Sequence, residues 1–111
     1  MKEFLTAQEN EVLKKLKSTL QDMLSDRLVK IVLYGSKARG DYDPESDIDI
    51  AVVVRGLTRK LKNEILDEVI KIEFENHTPI STFILSEDDF KLLRQKERRI
   101  ALDIEKEGML L

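Results

Sequence analysis

Hydrophobic positions recur at helical spacing near the start of the chain and again in its middle. Thr6-Ala7-Gln8-Glu9 has the spacing of a capping box, and the apolar residues after it follow a period of about 3.6 residues. This pattern predicts an amphipathic helix over residues 6 to 26. A second helix is predicted from Thr58 to about Asn76, where apolar residues again lie three or four positions apart and lysine and glutamate fill the rest.

Three short apolar runs predict buried strands, because they are rich in β-branched residues and end at turn-forming residues. They are LVKIVLY at Leu28–Tyr34, DIDIAVVV at Asp47–Val54 and ISTFIL at Ile80–Leu85. Between the first two runs, residues 35–46 (GSKARGDYDPES) concentrate glycine, proline and polar residues. This composition predicts a loop between adjacent strands.

The end of the chain predicts further helices and completes the element order. Ser86 and the three acids after it are typical of a capped helix, which is predicted through about Arg94. A last helix is predicted to end with Gly108 as its C-cap. The order is α, β, loop, β, α, β, α, without a linker or an internal repeat. Residues 1–111 are therefore predicted to form one small domain of the α/β (α+β) class, with a short mixed sheet flanked by helices.

Composition and charge exclude several kinds of function. The chain has 19 Lys plus Arg against 22 Asp plus Glu, a net charge of -3, so no overall positive field favours nucleic acid. It has no cysteine and one histidine, so any bound metal is expected to have oxygen ligands. No run approaches the roughly 20 apolar residues of a membrane span, and the first residues do not resemble a signal peptide. A cytoplasmic location is therefore expected.

Two carboxylates stand at the start of the second predicted strand. Residues two apart in a strand project from the same face, so Asp47 and Asp49 are expected to lie side by side. Paired carboxylates repel each other unless a cation lies between them, and Mg²⁺ accepts such ligands together with water and substrate phosphate. The alternative is that both acids are solvated residues of a turn and an exposed strand face.

The loop before this pair has features of a phosphate site. In Gly35-Ser36-Lys37-Ala38-Arg39-Gly40, the first glycine would let the backbone approach phosphate oxygens, and Ser36 would donate its hydroxyl and its amide. Lys37 and Arg39 would supply positive charge. The loop is not a Walker A motif, because Asp41 stands where that motif requires lysine. An ordinary turn is the alternative interpretation.

Together, Gly35-Ser36, ten further residues and Asp47-Ile48-Asp49 resemble the signature of the nucleotidyltransferase superfamily that shares its palm fold with DNA polymerase beta. The longer string LYGSKARGDYDPESDIDIAVVV is similar to the minimal nucleotidyltransferases, which are often the antitoxin partners of HEPN-domain toxins. The resemblance implies that Gly35 and Ser36 hold the triphosphate of ATP and that Asp47 and Asp49 coordinate Mg²⁺ or Mn²⁺. It also implies AMP transfer from ATP to a hydroxyl of a protein or small molecule, such as a tyrosine of the partner toxin.

The third predicted strand departs from the pattern of that superfamily. Its members carry a third carboxylate on this strand, but here Ser81 or Phe83 would face the acid pair. Glu73 and Glu75, just upstream, are expected to be solvated helix acids. Two interpretations therefore stay open: an active transferase, and a nucleotide-binding module that neutralises a partner by contact. A second chain, either a copy of this one or a different protein, is expected to complete so small a site.

Overall fold

The structure, a computed structural model, describes residues 5–39 and 47–111, without the side chains of Ser36, Arg39 and Glu107. Its helices and strands alternate largely in the order predicted from the sequence. They are α1 (Ala7–Leu24), β1 (Leu28–Tyr34), α2 (Ser36–Arg39), β2 (Ile48–Val54), α3 (Arg59–Asn76), β3 (Ile80–Ser86), α4 (Glu87–Gln95), α5 (Arg99–Glu107) and β4 (Met109–Leu110).

The four strands form one mixed sheet in the order β3-β2-β1-β4. β1 is antiparallel to both β2 and β4, whereas β2 and β3 are parallel and are connected by α3. β2 is thus a central strand with neighbours on both sides, which explains why it is the most continuously apolar segment of the chain. β3 forms one edge of the sheet.

Helices cover both faces of the sheet, as predicted. On one face, α1 and α3 pack against alternate residues of the strands, and the core there includes Leu16, Leu20, Ile65, Val69, Leu33, Ile48, Ile50 and Val52. On the other face, α4 and α5 pack against the intervening residues, and this smaller core includes Phe90, Ala101, Ile104, Val32, Ala51, Val53 and Leu85. The predicted class, a short mixed sheet flanked by helices, is confirmed.

Several predicted boundaries move by one or two residues. α1 begins after Thr6, which makes the predicted capping box with Glu9, but the helix ends at Leu24 and Ser25–Arg27 form a short 3-10 turn. β2 begins one residue later than predicted, which leaves Asp47 immediately before the strand. None of the helices in the described part of the chain is both long and apolar enough to cross a membrane.

The C-terminal end contains one element that the sequence did not predict. Gly108 follows α5 as its C-cap, as predicted, but its φ of -70° is not the left-handed value usual for a C-cap glycine. Glycine is required there for another reason, because a Cβ would collide with the carbonyl oxygen of Ile104 and with the side chain of Val32. This close approach brings Met109–Leu110 beside β1 as the short strand β4.

Candidate functional site

The sheet topology brings the two predicted motifs together at one end of the sheet. Because β1 and β2 are antiparallel, the residue before the glycine loop, Tyr34, pairs in register with Asp49. Gly35 follows Tyr34, and α2 then begins at Ser36 with a hydrogen bond from the Ala38 N–H to the Gly35 carbonyl at 3.1 Å. The loop glycine and the second acid therefore lie next to each other, although they are 14 positions apart in the sequence.

Gly35 lies so close to the Asp49 carboxylate that a side chain would not fit between them. Its φ of +75° is in the left-handed region, where residues with a side chain are strained. A Cβ added at this position would lie 2.5 Å from Oδ2 of Asp49 and 3.3 Å from its Cγ. Two independent constraints thus require glycine here, and one of them is the approach of the Asp49 carboxylate to the backbone of the loop.

Asp49 of β2 lies on the sheet face that α4 and α5 cover further along, and Asp47 immediately precedes the strand. Ile48 and Ile50 are fully buried in the opposite core, whereas Asp47 is exposed and Asp49 is partly exposed. The alternation of acid and isoleucine thus follows from the pleat of the strand, which sends alternate side chains to opposite faces. Asp47 and Asp49 thus stand at the start of β2, and their predicted role as a pair of metal ligands stays a prediction.

Ser81 is the β3 residue that stands beside the acids. It pairs in register with Asp49 and is exposed, while Phe83 pairs with Ala51, one step deeper in the sheet. Of the two positions predicted to face the pair, Ser81 is therefore the neighbour. Within residues 5–39 and 47–111, no three His, Cys, Asp or Glu side chains form a group that could hold a metal ion.

Glu73 and Glu75 do not supply the missing acid in this structure. The carboxylate of Glu73 accepts the N–H of Ile80 at 3.0 Å and so caps the start of β3. Glu75 is exposed in the last turn of α3. Glu75 agrees with the expectation of a solvated helix acid, whereas Glu73 is a partly buried helix acid that is bonded to β3.

Lys37 is buried and forms an ion pair with a residue of α1. Its side chain is 4% exposed, and its Nζ lies 2.8 Å from Oε2 of Glu9 on α1. Partial burial of the Glu9 carboxyl would raise its pKa, but the Lys37 ammonium and the hydrogen bonds of Thr6 outweigh burial and lower it. The ion pair ties α2 to α1. The role of Lys37 as a phosphate-binding cation stays a prediction. The side chains of Ser36 and Arg39 lie outside the described part, so their predicted roles stay predictions.

Tyr34 is a neighbour of the site that sequence reasoning assigned only to a strand. Burial, followed by the negative charges of Asp49 and Asp103, raises its pKa above the ordinary value of 10. The phenol is therefore neutral at physiological pH and keeps its hydroxyl proton. Strand alternation could have identified it, because Tyr34 is the last residue of β1 and is in register with Asp49.

The donors at this end of the sheet fit a hard divalent cation. Asp47 and Asp49 offer only oxygen ligands, and the site is open to water beside Ser81. Mg²⁺ commonly takes one or two carboxylates and completes its shell with water and substrate phosphates. An exposed and a partly exposed carboxylate are therefore consistent with such an ion, and the remaining ligands would come from solvent and substrate.

Comparison with known proteins gives three findings. A family model described as a nucleotidyltransferase domain matches residues 13–108. Two proteins of Methanocaldococcus jannaschii, both provisionally named protein adenylyltransferases, are 42% identical over 57 residues and 47% identical over 45 residues. These alignments cover 50% and 40% of this chain and 58% and 45% of the relatives. The chain thus spans about half the length of the curated relatives it matches.

The third finding concerns the fold. A crystal structure from Sulfolobus solfataricus, provisionally described as that of a nucleotidyltransferase, superposes with a TM-score of 0.52. The match covers 96% of this chain and 86% of that one, at 22% sequence identity. At this level of identity the likeness establishes a shared fold.

Proposed function

The chain belongs to the nucleotidyltransferase domain family, as its signature predicted, and on that premise we propose that it transfers AMP from ATP to a hydroxyl group of an acceptor. The observation that carries this proposal is the contact between the Asp49 carboxylate and the backbone of Gly35. It supports the proposal because the start of the predicted phosphate loop lies next to one of the two predicted metal ligands. The acceptor is a protein or a small molecule.

The main-chain groups of the glycine loop would act mainly by positioning the triphosphate. The backbone at Gly35 carries no side chain that could block a phosphate, and the first N–H groups of α2 follow it directly. A triphosphate held there would have its α-phosphorus near the exposed end of β2. The acceptor oxygen would attack that phosphorus, the bond to the bridging oxygen would break, and pyrophosphate would leave while the hydroxyl proton passes to solvent.

Asp47 and Asp49 would hold Mg²⁺ or Mn²⁺, which supplies charge neutralisation for the phosphates and lowers the barrier to their displacement. Ile48 and Ile50 anchor β2 in the core on the other face, which supports a fixed position for Asp49 within the strand. Tyr34, which stays protonated, would offer a hydroxyl donor beside Asp49. Arg39 and Ser36 are proposed phosphate ligands on the strength of the motif alone.

A second candidate function rests on Ser81. Where the family places a third carboxylate, this chain has a hydroxyl that can neither carry the charge nor accept the proton of the attacking group. A module that binds nucleotide and neutralises a partner protein by contact would need only the groups that are present. In either case we propose an antitoxin role beside a HEPN-type partner, which would bury the open end of the sheet.

The test is transfer of label from α-labelled ATP with Mg²⁺ or Mn²⁺ to proteins of a cell lysate and to the product of the neighbouring gene. Wild type is compared with the double variant Asp47→Asn, Asp49→Asn. The matched control is Asp67→Asn, Asp88→Asn, which removes the same charge from exposed helix positions. We expect label on an acceptor with wild type and with the control, and none with the site variant.

Two other results would redirect the proposal. Metal-dependent ATP binding without any transfer would replace the enzyme with the binding module. Equal labelling by wild type and the Asp47, Asp49 variant would refute the proposed site.

A further inference from the structure

The outer edge of β3 has main-chain groups that are directed away from the sheet. The Pro79 carbonyl accepts the N–H of Ile48 on β2 at 3.1 Å, so Pro79 and every second residue after it direct their main-chain groups toward β2. The residues between them, among them Thr82 and Ile84, direct theirs outward. Among the residues that the structure describes, none is hydrogen-bonded to these outward groups of Thr82 and Ile84.

In the part of the chain that the structure describes, the outward main-chain groups of β3 are unbonded only after the start of the strand. At its start, the outward N–H of Ile80 is already bonded to the Glu73 carboxylate. The free stretch therefore begins at Thr82. The strand, ISTFILS, has no charged residue and no proline within it, and these are the features that proteins use to keep an edge strand from pairing with another chain.

Exposed apolar side chains lie on α3 and α4, the two helices that pack against β3. Phe74 of α3 is 76% exposed, and Ile70, one turn before it, is 46% exposed. On the other side of the sheet, Leu92 of α4 is 48% exposed. These are three of the four large apolar side chains that are exposed within residues 5–39 and 47–111; the fourth, Leu110, lies on β4 at the opposite edge.

A groove and a protruding ring lie at opposite ends of β3. The groove, of about 480 Å³, runs along the C-terminal half of the strand between the start of α3 and α4. Its apolar lining includes Leu57, Phe83, Leu85, Leu92 and Leu93. Phe74 lies at the other end, beside Thr78 and Pro79, where β3 begins.

The charged residues of α3 are basic near the start of the helix and acidic near its end. Arg59 and Lys62, near the start of the helix, line the groove at the end of β3. Glu73 and Glu75, in its last turns, lie near the start of β3. Asp89 of α4 also lines the groove, so the opposite charges at the two ends of the surface are those of α3.

We propose that this surface binds a second copy of the chain, with the two β3 strands antiparallel across a two-fold axis near Phe83. Such an axis would pair Thr82 with Ile84 of the second copy, and their free N–H and carbonyl groups would hydrogen-bond in both directions. The two Phe83 rings would face each other on the α4 side of the continuous sheet. A two-fold axis requires a self-complementary surface, and this one has that property.

The same two-fold axis places the groove end of each copy against the Phe74 end of the other. The start of one β3 lies against the end of the other, so Phe74 of each copy comes to the groove of its partner. The basic start of each α3 likewise faces the acidic end of the other. An apolar contact and opposite charges thus support the same antiparallel arrangement, whereas a parallel arrangement would place like charges together.

The test is sedimentation equilibrium over a concentration series, supported by circular dichroism to verify folding. Wild type is expected to approach twice the chain mass of 12.9 kDa. Thr82→Pro removes an outward N–H that the sheet itself does not use, and we expect at least an approximately tenfold weaker dimer. Thr82→Val retains that N–H and should leave the dimer intact.

A second pair of variants avoids any doubt about folding. Phe74 and Leu110 are both exposed apolar side chains, so replacing either with serine leaves the core unchanged. Phe74→Ser should weaken the dimer by roughly tenfold or more, and Leu110→Ser, at the other edge of the sheet, should not change it. The dimer should also weaken as salt screens the charges of α3.

Two results would overturn the proposal. One is a wild-type chain that stays monomeric throughout the series, which would leave this edge for an unrelated extended segment. The other is a dimer that persists in Phe74→Ser and dissociates in Leu110→Ser, which would place the interface at β4.

Discussion

Asp49 holds its carboxylate against the backbone of Gly35, with Oδ2 only 2.5 Å from the position that a Cβ on that glycine would occupy. The contact joins the end of β1 to the start of β2 across the antiparallel pair. It explains why the glycine and the acid belong to one signature. A side chain at position 35 would displace the Asp49 carboxylate.

Gly35→Ala should therefore impair both stability and function. The new methyl group combines left-handed strain with a collision, so we expect a loss of about 2 to 4 kcal/mol in the free energy of unfolding. Gly56→Ala is the matched control, since that glycine has a similar φ of +68° but open space around it. It should lose about 1 kcal/mol and keep ATP binding. Denaturant unfolding and ATP titration measure both quantities, and equal losses in the two variants would contradict the role of the Asp49 contact.

Ser81→Asp should restore the carboxylate that β3 lacks. Ser81 is exposed and in register with Asp49, so the new acid would lie on the same face as the pair. Without metal, repulsion should lower the free energy of unfolding by up to about 1 kcal/mol. With Mn²⁺ and ATP, affinity for the metal should rise at least about tenfold. Isothermal titration measures this change, and Ser81→Asn is the uncharged control; if both variants bind alike, no metal lies beside this position.

The ion pair between Glu9 and Lys37 should make stability depend on pH. The folded pKa of Glu9 lies below its ordinary value of 4.5, so the pair stabilises the fold above that value and is lost as the pH falls through the lowered pKa. Glu9→Gln keeps the capping box but leaves Lys37 without its carboxylate. It should cost about 1 to 3 kcal/mol near neutral pH.

Unfolding of this variant and wild type should be compared across a pH series. The difference between them should shrink in acid, because wild type also loses the charge of Glu9. A difference that is constant with pH would mean that Glu9 acts through packing alone.

Thr82 has a buried hydroxyl that is destabilising. In the described part of the chain, its Oγ1 has no hydrogen-bond partner. Thr82→Val should therefore raise the free energy of unfolding by about 1 to 2 kcal/mol. Thr78→Val is the opposite control, because the hydroxyl of Thr78 donates to the Asn76 carbonyl at 3.0 Å. In thermal unfolding, Thr82→Val should raise the midpoint and Thr78→Val should lower it. A shift of the same sign in both variants would show that the hydroxyl at position 82 has a hydrogen-bond partner.

The sequence predicted those parts of the fold that depend on local patterns. The bounds of β1 agree with the prediction at both ends, because the run Leu28–Tyr34 is apolar and stops at a glycine. The alternation of acid and isoleucine in β2 likewise predicted which side chains enter the core. By contrast, β4 has only two residues, and it is a strand only because it lies beside β1.

The site shows the same division between local and long-range information. The positions of Asp47, Asp49 and Gly35 follow from strand alternation and from the glycine loop. The placement of Lys37 could not be predicted in this way, because its partner, Glu9, is 28 positions away on another helix. The neighbour of Asp49 on β3 depended on the register of a parallel pair, which the sequence left open between Ser81 and Phe83.

The most direct test of the proposed site is paramagnetic broadening of amide signals by Mn²⁺ in the presence of ATP, measured by nuclear magnetic resonance on the labelled chain. We predict that the signals of Gly35, Asp49 and Ser81 broaden first, that Leu57 and Leu85 near the far end of the sheet do not, and that Asp49→Asn removes the effect. Broadening centred on Leu57 and Leu85, or unchanged in Asp49→Asn, would contradict a metal-nucleotide site at the start of β2.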